Sequence, residues 1–102
     1  MDDWPFDQPP NCAVITVRAI ANRDLPILHV SHDADDHGWQ FLTGGALVVE
    51  EAVMVSLREI LELDESIWEL ADLPPGWIAW RESSLSGWIR EIHPDYREGH
   101  RP

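Results

Sequence analysis

Residues 29–41 read HVSHDADDHGWQF, and three histidines and three aspartates fall within nine positions of that stretch. Imidazoles and carboxylates at this density could hold a metal ion, build an acid–base site, or cap a polar turn. For a metal, His29 and His32 form an HxxH pair, but an odd spacing on an extended strand sends the two side chains to opposite faces. The set a loop could converge on one ion is His32, Asp33, Asp35, Asp36 and His37. Cys12 is the only cysteine, so no thiolate pair supports such a site, and structural zinc normally takes four ligands. Asp33, Asp35 and Gly38 echo an EF-hand loop, yet Gly44 stands where the bidentate glutamate belongs. Ser31, His32 and Asp33 spell a hydrolytic triad, but adjacent residues on a strand alternate in direction and cannot form its hydrogen-bond chain. A glycine-flanked nucleophile and a phosphate-cradling glycine motif are both absent from the sequence. The expectation is therefore a charged hairpin tip, with no catalytic residue and no cofactor. Gly38 would supply the permissive dihedral where the loop re-enters the strand.

Tryptophan is the second unusual feature, with six in 102 residues: Trp4, Trp39, Trp68, Trp77, Trp80 and Trp88. Each buried indole N–H needs a partner, which makes full burial of all six demanding for so small a core. Trp77 and Trp80 have opposite parity on a strand, and Trp68 lies one residue off an apolar helical face. Large residues filling the core and an exposed aromatic patch are both consistent with this. The candidate partner-binding set is Asp33, Asp35, Asp36, His37, Trp68 and Trp80, with Glu50 and Glu51 adding to the charge.

These residues need a frame. CAVITVR alternates, placing Ala13, Ile15 and Val17 on one face and Val14, Thr16 and Arg18 on the other. After a turn at ANRD, PILHVSH and WQFLT read as two strands joined by a hairpin loop over Asp33–Gly38. The period then becomes helical. Ser56 with Glu59 forms a capping box ahead of Leu57, Ile60 and Leu61, and Ser66 with Glu69 forms a second ahead of Ile67, Leu70 and Ala71. Pro74, Pro75 and Gly76 end that segment, and WIAWRE and WIREI follow as strands. The predicted fold is α+β, an antiparallel sheet of four to five strands with two short helices inserted between strands three and four. Residues 1–11 read as an irregular arm that Trp4 and Phe6 could pin, 12–92 as one domain, and 93–102 as a flexible tail.

Nineteen acidic residues against seven basic ones give a formal charge of -12, while the apolar share of 44% is ordinary for a folded chain. That field repels nucleic acid and anionic membranes and favours a basic partner. The start MDDWPFDQPP is the opposite of a signal peptide, and no apolar run is long enough to span a bilayer, so a cytoplasmic location is expected.

The order GWQFLTGG followed by VVEEAVMVSLREILELDESIWELADLPPGWIAWRE resembles a family of small bacterial proteins of unknown function that includes the thirty-third class of polymorphic-toxin immunity proteins. The resemblance covers roughly residues 28–82 and rests on Gly38, Trp39, Phe41, Gly44, Ser56, Leu57, Ile60, Leu63, Asp64, Ile67, Leu70, Leu73, Pro74, Gly76 and Arg81. An acidic insertion usual in that family after the Gly44 position is missing, and the chain runs directly into GALVVEEA. The resemblance implies an immunity-type inhibitor of a basic toxin or enzyme, acting as a non-enzymatic protein-binding module that occludes its target. Two alternatives stay open: a metal-dependent enzyme or metal sensor on the HDADDH loop, and a nucleic-acid mimic. Partner identity and oligomeric state are not encoded in any motif.

Overall fold

The computed structural model describes residues 4–45 and 48–94. Its strands are β1 (Ala13–Val17), β2 (His29–His32), β3 (Trp39–Leu42), β4 (Ala52–Ser56), β5 (Trp77–Trp80) and β6 (Ile89–Ile92). Two α-helices, α1 (Arg18–Ala21) and α2 (Leu57–Leu63), are joined by 3₁₀ segments at Val49–Glu51 and Glu65–Leu70. The six strands form one sheet in the order β4-β1-β3-β2-β5-β6.

The class is α+β, as the alternation and capping patterns imply, but the sheet is mixed rather than antiparallel. β1 and β3 run parallel, with Ile15 beside Gln40. The long connection over residues 18–28, carrying α1 where a plain turn is expected, is the cause. A tight hairpin would have paired β1 with β2; this connection lets the β2–β3 hairpin slide its second strand in between. The extra strand is β4, which pairs antiparallel with β1 from Ala13–Ser56 to Val17–Ala52. Helix α2 and the second 3₁₀ segment consequently lie between β4 and β5.

Ser56 is both the last residue of β4 and the cap of α2. Its Oγ accepts from the Glu59 N–H at 3.1 Å, and Glu59 Oε1 accepts from the Ser56 N–H at 3.1 Å. The second expected box does not form. Asp64 caps the 3₁₀ segment by accepting from the Ser66 N–H at 3.0 Å, and the Ser66 hydroxyl instead accepts from Arg81 Nη1 and Trp88 Nε1, both at 3.1 Å.

One face of the sheet is covered. Val14, Val30, Trp39, Phe41 and Ala79 pack beneath Leu57, Ile60, Leu61, Ile67, Leu70 and Leu73, and Phe6 from the N-terminal arm joins them. Thr16 is fully buried here because its hydroxyl donates to the Phe41 carbonyl at 2.7 Å across the parallel pair. Arg81 is the buried cation of this layer. Its Nε and Nη2 donate to the Ile27 carbonyl, Nη2 reaches Asp64 Oδ2 at 2.5 Å, and its guanidinium lies 4.1 Å from the Trp88 ring centroid. A guanidinium paired with a carboxylate and with four of its five N–H donors engaged can be buried without leaving an unpaired charge. It ties the loop before β2 to the helical layer and to the segment after β5.

Candidate functional site

The hairpin tip follows from local chemistry. Asp33 N–H donates to the Gly38 carbonyl at 2.8 Å, closing the loop, and Asp36 Oδ1 accepts from the Gly38 N–H at 2.8 Å. The left-handed residue is His37, with φ 60, rather than Gly38. A Cβ at position 38 would stand 3.0 Å from Asp36 Oδ1, a tight contact with the end of an exposed side chain.

The histidines and aspartates of the opening stretch are distributed, not gathered. His32 lies on the covered face, stacked on Trp39 with centroids 3.9 Å apart, and its Nδ1–H donates to the Leu73 carbonyl at 2.6 Å. His29 lies on the other face, as strand parity requires. Asp33 turns back along the sheet: Oδ1 accepts from Ser31 Oγ at 2.6 Å and Oδ2 from Gln40 Nε2 at 2.9 Å. Ser31 and Asp33 thus meet directly, with His32 on the far side of the strand. Asp35, Asp36 and His37 are exposed at the tip. Among the described residues no group of three or more His, Cys, Asp or Glu side chains is placed to share a metal ion.

The surface that the sequence did not expose to inspection is the second face of the sheet. Register places its side chains in two rows. Met54, Ile15, Gln40, Ser31, Ile78 and Glu91 cross the middle, and Ala52, Val17, Leu42, His29, Trp80 and Ile89 cross one end. Of their apolar members, Val17 packs against the core cluster and Ile78 is buried at 9% exposure. Met54 is 69% exposed and Ile89 46%. Five inter-strand spacings make the face roughly 24 Å wide. Apolar side chains flank it on β4–β1 and β5–β6, and a polar column of His29, Ser31, Gln40 and Asp33 runs between. Trp80 is tied to β6 by its indole N–H, which donates to Glu91 Oε2 at 2.7 Å.

Charge sits at both ends of this face. Asp35 and Asp36 extend beyond the start of β3, and Glu50 and Glu51 precede β4 at the opposite end, where Ala52 pairs with Val17. Burial, and after it the charge of His93, pull the His29 pKa below its ordinary value, so this imidazole stays neutral near pH 7.

Of the candidate binding residues, Asp35, Asp36 and His37 border this open face and Trp80 lies on it. Trp68 is placed elsewhere, on the helical side, edge-on to Trp4 at 6.5 Å. Met54 lies on a strand that the sequence reading missed, while Ile15, Leu42, Ile78 and Ile89 lie on expected strands but were not placed on a common surface. For Met54 the signal was the run AVMVS, obscured by the glutamates before it and the capping box that starts at its last residue.

No family model, curated protein or solved structure matches the chain. Among the described residues no helix is long and apolar enough to cross a membrane.

Proposed function

We propose that this protein is a non-enzymatic, acidic protein-binding module that occludes a basic partner, as an immunity-type inhibitor of a toxin or enzyme would. The observation that carries this reading is the open sheet face, with apolar flanks and acidic residues at both ends. An apolar floor contributes binding energy once water is expelled, and the acidic ends orient an approaching cationic surface before contact. A chain of formal charge -12 strengthens that long-range attraction. Asp33 is a structural member of the site because both its oxygens are engaged within the sheet. Asp35, Asp36, Glu50 and Glu51 are the steering residues.

The test is kinetic, on a partner recovered from native cells by cross-linking. Reversing the charge at Asp35, Asp36, Glu50 and Glu51 should slow association and flatten its salt dependence, whereas Trp80→Ala should mainly speed dissociation. The loss at Trp80 should be about 2 kcal/mol, roughly thirtyfold in Kd. A partner whose affinity ignores Trp80 and Met54 does not use this face, and the reading fails.

A further inference from the structure

The two edges of the sheet are finished differently. At the β4 edge, Leu57 N–H donates to the Cys12 carbonyl, so by alternation Val55 and Val53 bond to β1 while Ala52, Met54 and Ser56 face outward. Two of these outward donors are already used. Ala52 N–H returns to the Val49 carbonyl, and Ser56 N–H goes to the Glu59 carboxylate. Met54 alone keeps an outward N–H, so this edge is blunted by the 3₁₀ turn before it and the capping box after it.

At the β6 edge, His93 N–H donates to the Gly76 carbonyl at 2.8 Å. The same alternation turns Glu91 and Ile89 toward β5 and leaves the N–H and C=O groups of Arg90 and Ile92 pointing away from the sheet. β6 is the last strand of the sheet order, and no described strand pairs with its other side. Two outward residues at i and i+2 are the rungs an added strand needs. The strand is also held in place: Arg90 donates to Asp72 at 2.8 Å and to the Glu69 carbonyl, anchoring β6 to the helical layer and holding the Asp72 carboxyl below its ordinary pKa.

Resting on the protein-binding reading above, we infer that β6 is a strand-addition site, and that its occupant is an extended segment of a basic partner with Lys or Arg opposite Glu91. Charge selects this occupant over a second copy of the chain. Antiparallel self-pairing centred on Glu91 sets two Glu91 carboxylates face to face at the closer cross-strand spacing. Centring on Arg90 opposes two arginines instead. Centring on Ile92 sets Arg90 against Pro94, which has no N–H to donate. A cationic side chain across from Glu91 removes the repulsion and lies beside Trp80 on the open face, so strand addition would extend that face.

The experiment is amide exchange and shift mapping on isotope-labelled protein, with a short peptide alternating valine and lysine as probe and one alternating valine and glutamate as control. In the free protein, Arg90 and Ile92 amides should exchange roughly tenfold or more faster than those of Ile89 and Glu91. The lysine peptide should slow them by a similar factor, and the glutamate peptide should not. Ile92→Pro removes an outward N–H along with the isoleucine side chain and should abolish the effect, and Ile92→Ala, which keeps the N–H, should not; should the proline variant not fold, the exchange data on the unaltered chain decide alone. Arg90 and Ile92 amides protected before any peptide is added overturn the proposal. So does a lysine peptide that shifts no amide, or a dimer that Ile92→Pro dissolves, which makes a second copy the occupant. Shifts confined to Ile15, Leu42 and Met54 also overturn it, yet leave the open-face reading standing.

Discussion

The covered and open faces of the sheet are built from the same strands, residue by residue, and differ in what happens to the side chains. On β3, Phe41 is fully buried under the helical layer while its neighbour Leu42 faces the other way and is half-buried. On β2, His32 packs on Trp39 and its neighbour Ser31 belongs to the surface network with Asp33. The covered face is closed by chain-internal contacts and carries stability. The open face keeps apolar area that the described fold does not use, so substitutions there should separate stability from binding.

The most direct way to break this comparison is to truncate neighbours on one strand. Phe41→Ala should cost about 3–5 kcal/mol, whereas Leu42→Ala should cost about 1 kcal/mol or less. Denaturant midpoints for the two variants check it, and equal losses would mean that the open face is covered in solution. Next in size is Arg81→Ala. Removing the guanidinium leaves Asp64 and the Ile27 carbonyl without their donor in a buried site, an expected loss of about 3 kcal/mol. A wild-type midpoint for this variant would show that the two layers do not depend on that junction.

Ser56 joins the two layers, since it ends an edge strand and starts α2. Ser56→Ala should lower stability by about 0.5 to 2 kcal/mol without unfolding the domain. An unchanged midpoint would place the start of the helix elsewhere. The smallest effect is a slope. His29 has a folded-state pKa below its ordinary 6.5, so between those values the unfolded chain binds more protons. Stability should therefore fall as pH drops below about 6.5, and stop falling from this source once pH passes below the folded pKa. His29→Gln should remove that part of the slope, as thermal melts across the range would reveal.

Much of this was legible without coordinates wherever the signal is local. Strand parity alone separates His29 from His32 and pairs Trp39 with Phe41, because the backbone period of two is a property of the extended chain. The Ser56–Glu59 box reads directly, since both halves lie within one turn. The box at Ser66 failed because its hydroxyl is claimed by Arg81 and Trp88, residues distant in sequence that bring donors no local rule anticipates. Gly38 was marked as a turn residue for its torsional freedom, yet His37 takes the left-handed conformation and Gly38 donates its N–H to Asp36.

Sequence by itself determined the acidic charge, the β2–β3 hairpin and which side chains share a face of each strand. Strand order was decided only in three dimensions. The pairing of β1 with β3 and of β4 with β1 depends on hydrogen bonds between segments far apart in the chain, and an alternating pattern specifies a face but not a neighbour. That order is what lays Met54, Ile15, Leu42, Ile78, Trp80 and Ile89 on one surface, and sends Trp68 to the other side. Each of these residues was visible as an apolar letter in an alternating run; that they share one face, with Met54 and Ile89 exposed on it, was a consequence of strand order.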